Sequence, residues 1–135
     1  MKRESWLAAA PESAPIARAI VRDAALEHGL DDEATWDIML ATSEAIANAI
    51  LHGTACVYDG DSRGILLRVL PCADGLCVEV CDCGQFDSEL VPPAPDATSG
   101  RGIPIIAAVV DQLAIVPDAS QTRVRFGKRR VPAAA

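Results

Sequence analysis

The stretch E-A-I-A-N-A-I-L-H-G at positions 44–53 decides how the rest of the chain is read. At about 100° per residue, the apolar side chains Trp36, Met39, Leu40, Ile46, Ala47, Ile50 and Leu51 around it fall within one broad arc. That pattern predicts an amphipathic helix with this arc against a core. Glu44, Asn48 and His52 recur at every fourth position and make one polar stripe along an edge of the arc. A carboxylate one turn from a carboxamide, at the border of a buried surface, can hold a hydrated divalent ion beside a polarised hydroxyl or water. Helix borders are ordinarily polar for solvation alone, so the stripe takes its meaning from what lies downstream.

A length of 135 residues predicts one domain, 1–135, with a core at about 10–127 and a tail at 128–135. Half the chain is apolar but only five residues are aromatic, so Ala, Val, Ile and Leu must fill that core. The net charge of −7 argues against direct binding to nucleic acid, whose phosphates demand a basic face. The basic cluster at 123–130 reads as a solvated edge beside a strand. No run approaches the roughly 18 apolar residues of a membrane span. The opening M-K-R-E-S-W-L-A-A-A lacks the apolar centre of a secretory signal, so the expected location is cytoplasmic. The five cysteines, Cys56, Cys72, Cys77, Cys81 and Cys83, are odd in number and irregularly spaced, a poor disulfide framework. Cys77, Cys81 and Cys83 share strand parity, but small buried thiols are the commoner reading than a thiolate cluster on one sheet face.

In chain order, 11–28 reads as a first helix, with Glu12 or Ser13 to cap it, Pro15 in its first turn and Gly29 to end it. Its apolar side is expected from Ile16, Ala19, Ile20, Ala24 and Leu26. Asp31, Asp32 and Glu33 open the second helix, where their charges complement the dipole, and Gly53 closes it. Positions 54–64 are loop-like. Two strands, 65–70 and 76–81, flank Cys72-Ala73-Asp74-Gly75, a hairpin signal, so that Asp82 arrives at a strand end and 83–85 turn the chain. The proline-rich stretch 88–99 reads as a mobile cover. Gly100-Arg101-Gly102 leads into a third helix, 103–110, and strands at 113–116 and 122–126 form a last hairpin.

Helix, helix, hairpin, loop, helix, hairpin predicts an α+β two-layer sandwich, with a mixed, mostly antiparallel sheet covered by helices on one face. Three features open toward the cleft between the layers: the Glu44/Asn48 stripe, Asp82 followed by Gly84, and Gly100-Arg101-Gly102 at a helix N-terminus. An acid at a strand end accepts from an exocyclic amine while a glycine lets a flat ring approach the backbone. A helix N-terminus favours phosphate. Together they describe a nucleotide pocket.

With those residues in place the chain resembles a known family. E-A-I-A-N-A-I-L-H-G is similar to the N box, C-D-C-G-Q-F-D to the first glycine box, and S-G-R-G-I-P-I-I-A-A-V-V-D to the second glycine box of the GHKL ATPase superfamily, the Bergerat or histidine-kinase ATPase-like fold. The short length, the G-R-G-I start and the F-D after the first box most resemble its anti-sigma-factor serine/threonine kinases. The resemblance implies ATP and Mg²⁺ as cofactors, with Asn48 on the metal and Glu44 as the catalytic base for a target hydroxyl. It implies Asp82 on the adenine amino group, Gly84 as room for the ring, and Gly100, Arg101 and Gly102 beside the phosphates. Thr122 is implied near the adenine-binding acid, and His52 closes the N box without a catalytic role. The partners implied are a sigma factor and an anti-anti-sigma antagonist of the STAS kind, and similar proteins are often homodimers. The chain departs from the pattern in its single first-box glycine and its short proline-rich lid. The rival readings are a nucleotide-gated partner-binding module with little or no kinase activity, and a purely structural α+β domain.

Overall fold

The computed structural model describes residues 2–52, 57–58, 62–82, 102–117 and 122–130. They form β1 (Arg3–Ala8), α1 (Ser13–Glu27), α2 (Asp32–His52), β2 (Val57–Tyr58), β3 (Ser62–Cys72), β4 (Gly75–Asp82), α3 (Gly102–Val109), β5 (Gln112–Pro117) and β6 (Thr122–Arg129). The fold is α+β: an open sheet in the order β1-β3-β4-β6-β5, with the two-residue β2 also pairing with β3. Every described pairing is antiparallel, in line with the mostly antiparallel sheet expected. Strand alternation puts Leu76, Val78 and Val80 of β4 and Val124 and Phe126 of β6 against the helices, all almost fully buried.

The segment 3–8 was not predicted as a strand. It pairs with β3 from Arg3↔Val69 to Ala8↔Gly64 and supplies the sheet edge. Ser13 fastens the start of α1 to its end, the hydroxyl donating to the carbonyl of Ala8 at 2.6 Å. The expected side-chain cap of α1 is absent, since Glu12 occupies the N-cap position without a side-chain bond. At the other end Gly29 adopts φ 79°, and the amide of Leu30 returns to the carbonyl of Ala25 at 3.0 Å, which closes the helix as expected for a left-handed glycine. Asp31 then caps α2, its carboxylate accepting from the amide of Ala34 at 2.8 Å.

Both long helices are rotated from the sequence expectation. The buried face of α2 is Ala34, Ile38, Ala41, Thr42, Ala45, Ile46 and Ala49, whereas Trp36, Leu40, Ala47 and Leu51 face water. In α1, Ala17, Val21, Ala24 and Ala25 are buried, while Ile16, Ala19 and Leu26 are exposed. The reason is packing: α1 and α2 lie against each other and α2 also lies on α3, β4 and β6. Alanine allows these backbones to approach closely, so a face rich in alanine goes inside with Val21, Ile38 and Ile46.

The basic cluster also departs from expectation. β6 is an interior strand, between β4 and β5, rather than an edge. Its charges are cross-links: Arg125 pairs with Glu79 at 3.6 Å, and Lys128 with Asp37 at 2.9 Å. Arg130, expected to lie in the tail, donates to the carbonyl of His28 at 3.2 Å. On the helix-free face Glu79 also meets Arg68 at 3.5 Å, and Arg68 meets Glu4 at 3.7 Å, giving a row of alternating charge across four strands.

The cysteines correct the sequence reading again. Cys72 and Cys77 form a disulfide, with Cα atoms 5.8 Å apart. The tight turn between β3 and β4 folds their positions back within the usual bridging distance, which linear spacing does not reveal.

Candidate functional site

α2 carries Glu44 and Asn48, both half-buried. They stand one turn apart on the flank of the helix, Glu44 one turn from the exposed Leu40 and Ala47, and Asn48 one turn from the buried Ala45. Asp82 ends β4 and Thr122 begins β6, and the two are cross-strand partners in the register. Asp82 shares its parity with Val78 and Val80, and Thr122 with Val124 and Phe126, so both belong to the helix-covered face. Thr122 is 1% exposed and Asp82 is half-buried. Neither is free, each being engaged in bonding.

The Lys128–Asp37 pair ties α2 to β6 at one point. Lys128 lies opposite Leu76, near the β3–β4 turn, and Thr122 lies opposite Asp82 at the far end of the same ladder. From Asp37, α2 keeps a buried row through Ala49 and packs on β4 and β6. α3, with Gly102 as its first residue, packs on α2.

Gly84, Gly100 and Arg101 lie outside the described residues, as do the turn at 83–85 and the expected cover at 88–99. The structure thus pairs Asp82 with Thr122 on one rung, on strands over which the helix carrying Glu44 and Asn48 packs. Thr122 gave the weakest sequence signal of the set, because a lone threonine acquires meaning only from its register with Asp82. Cys81, beside Asp82, has the opposite parity and is a buried free thiol; burial raises its pKa, which keeps it a neutral packing group.

This end of the sheet can take a flat polar ring against a strand-end acid, with a carboxamide and a carboxylate one helix away. The donor set also fits a hydrated divalent ion. Such an ion keeps several waters and takes few protein ligands when phosphates supply the rest, and Asn48 with Glu44 can supply that share.

A family model described as a histidine kinase-like ATPase domain matches residues 7–128. The chain belongs to this family. Its GHKL resemblance therefore holds across nearly the whole sheet and all three helices, β1's last residues included. Among solved structures, the chain is similar to that of the RsbU and RsbW domains of Rv1364c from Mycobacterium tuberculosis, with a TM-score of 0.72 and 27% identity. That match covers 96% of this chain but 32% of the other, so this chain spans about a third of that protein's length. No curated protein sequence matches. Among the described residues no helix is long and apolar enough to cross a membrane.

Proposed function

We propose that the protein is an ATP-dependent serine/threonine kinase that acts as an anti-sigma factor, binding a sigma factor and phosphorylating a serine on an anti-anti-sigma antagonist of the STAS kind. The supporting observation is the Asp82–Thr122 rung on the sheet face covered by α2, the helix that carries Glu44 and Asn48, in a chain matched from 7 to 128 by a histidine kinase-like ATPase domain. The similarity to a chain of RsbU and RsbW domains favours the regulatory branch of that family over others.

In this reading Asp82 accepts a hydrogen bond from the adenine amino group, which selects adenine over a ring carrying a carbonyl there. Thr122, packed beside it, holds the acid in place and excludes water. Gly84 leaves room for the ring, and the backbone amides at Gly100, Arg101 and Gly102 receive phosphate at the start of α3. Asn48 offers its carbonyl oxygen to Mg²⁺, which when bound neutralises charge on the phosphates. Glu44 orients the target hydroxyl and accepts its proton as the phosphoryl group transfers. The side chain of Arg101 adds positive charge at that group.

Titration calorimetry with Mg-ATP, followed by transfer from γ-labelled ATP to a STAS-domain antagonist, tests this reading. Asn48→Ala and Asp82→Asn are expected to abolish measurable nucleotide binding. Glu44→Ala is expected to bind nucleotide normally and to slow transfer by about 10²-fold or more. Unchanged Mg-ATP binding in both of the first two variants would refute the nucleotide site. Normal binding and full partner regulation in Glu44→Ala would refute the kinase and leave a nucleotide-gated binding module.

A further inference from the structure

The hairpin of β3 and β4 ends in two bonded sulfurs that solvent reaches unequally. Cys72 lies opposite Gly75 and Cys77 opposite Leu70, so the bond runs diagonally across the last rungs of the ladder. Cys77 is 2% exposed, and its sulfur lies against β6, where a Cβ on Gly127 would approach it to 3.2 Å. Cys72 is half-buried. Beside it opens a cavity of about 60 Å³, lined by Cys72, Gly75, Gln112 and Gly127, while Cys77 is not among the described residues that line it. A space of that volume holds several water-sized groups, enough for the sulfur end of a small thiol. Its rim carries Asp74, Asp111 and Arg129, all exposed, and this mixture of signs favours no charged reagent over a neutral one.

The turn does not depend on the bond. The β3–β4 ladder continues to its last rung, Cys72↔Gly75. The amide of Arg130 donates to the carbonyl of Asp74 at 2.7 Å, and its guanidinium donates to the carbonyl of Ala73 at 3.5 Å. The bonded residues are five apart in sequence, and closing so short a loop removes less freedom from the unfolded chain than closing a long one. Opening the bond therefore leaves the hairpin paired. Cys81, also on β4, is a buried thiol whose pKa burial raises, which withholds the thiolate that would compete in exchange.

We infer that the Cys72–Cys77 bond is a reversible thiol-exchange site, entered at Cys72 by a small neutral dithiol. The thiolate of the dithiol attacks the sulfur of Cys72; the bond to Cys77 breaks, and its electron pair leaves with Cys77, which takes up a proton. The second sulfur of the dithiol, as thiolate, then attacks the first and breaks the mixed disulfide, and Cys72 leaves and takes up a proton in turn. Two electrons and two protons pass to the protein, which ends with two thiols, and the dithiol ends as a cyclic disulfide. A monothiol stops at the mixed disulfide on Cys72, because burial disfavours the thiolate with which Cys77 would expel it. The site is at the turn end of β4, opposite the Asp82 end, and it does not depend on the nucleotide reading.

The test uses the full chain purified without reductant. Alkylation in denaturant, read by peptide mass spectrometry, is expected to leave Cys72 and Cys77 unlabelled before treatment with dithiothreitol and to label both after it. The treated chain, without denaturant, is expected to keep its folded circular dichroism, and diamide to restore the bond. A brief pulse of 2-mercaptoethanol, quenched by the alkylating reagent, is expected to leave its mixed disulfide on Cys72 about tenfold or more over Cys77. In the folded chain, Cys72 of the Cys77→Ser variant is expected to alkylate about tenfold or more faster than Cys77 of the Cys72→Ser variant.

Labelling of both cysteines in the untreated chain overturns the inference, and so does a mixed disulfide shared equally between them or found on Cys77. Loss of the folded signal on reduction also overturns it, by making the bond a structural staple. If either serine variant does not fold, the pulse on the parent chain decides which sulfur is entered.

Discussion

Lys128 is the tie that sets α2 over the sheet, and removing it tests how the site is positioned. Its ammonium pairs with Asp37 at 2.9 Å and donates to the carbonyl of Val109 at 2.8 Å, the last residue of α3. The two side chains of the pair are 17% and 23% exposed, so solvent screens this pair less than a surface pair. Lys128→Met keeps most of the apolar stem and deletes the charge. It leaves the half-buried carboxylate of Asp37 without its cation and a helix C-terminus without its donor. Loss of a hydrogen bond to a charged group costs about 2 kcal/mol, and loss of the cation at the end of α3 about 0.5 kcal/mol. The expected destabilisation is therefore about 2–3 kcal/mol. In urea unfolding the midpoint should fall with an unchanged slope, and in a thermal scan it should fall by about 6–9 °C at about 3 °C per kcal/mol for a chain of this size. In a double-mutant cycle with Asp37→Asn, the combined loss should be smaller than the sum of the single losses by about 1–2 kcal/mol. A loss below about 0.5 kcal/mol, the level of an ordinary surface substitution, would show that Lys128 does not tie α2 to the sheet.

Two further predictions concern the frame around the site. A Cβ on Gly75 would lie 2.0 Å from the carbonyl oxygen of Lys128 and 2.8 Å from the Cα of Arg129. Backbone cannot yield as a side chain can, so Gly75→Ala should destabilise by about 3 kcal/mol or more, and amide exchange should rise along the β4–β6 ladder. Arg3 donates to Glu27 at 2.5 Å, joining β1 to the end of α1. That hydrogen bond holds the carboxyl of Glu27 below its ordinary value of 4.5. A carboxyl with a depressed folded-state pKa stabilises the protein above its unfolded value, and the contribution is lost as pH falls through the folded value. Glu27→Gln should therefore unfold less steeply with acid below about pH 4.5 than the parent, with stability near neutrality lowered toward the value the parent reaches in acid; an identical acid limb would remove the pair from the account.

Much of the architecture was legible in the sequence because it rests on local chemistry. Asp74-Gly75 marked the β3–β4 hairpin, Gly29 ended α1, Asp31 and its acidic neighbours opened α2, and Gly102 with Pro104 opened α3. Asn48 and Asp82 were legible as candidates because a helix period and a strand end place them without reference to distant residues. What periodicity could not decide was orientation. α2 has apolar side chains on opposite sides, and the size of the residues favoured Trp36, Leu40 and Leu51 for the interior. The helix layer instead packed through Ala34, Ala41, Ala45 and Ala49 together with Ile38 and Ile46, because small residues let α1, α2 and the sheet approach closely. The strand at Arg3–Ala8, the Cys72–Cys77 bond and the interior position of β6 were hidden for a related reason: each depends on which segments become neighbours, and pairing partners far apart in the chain leave no local pattern. The sequence by itself determined the helices, the two hairpins and the family, and it nominated the candidate residues. Only the tertiary structure decided which side of each helix is wet, which carboxylates are paired, and that Asp82 and Thr122 share one rung, since those are set by long-range packing and register.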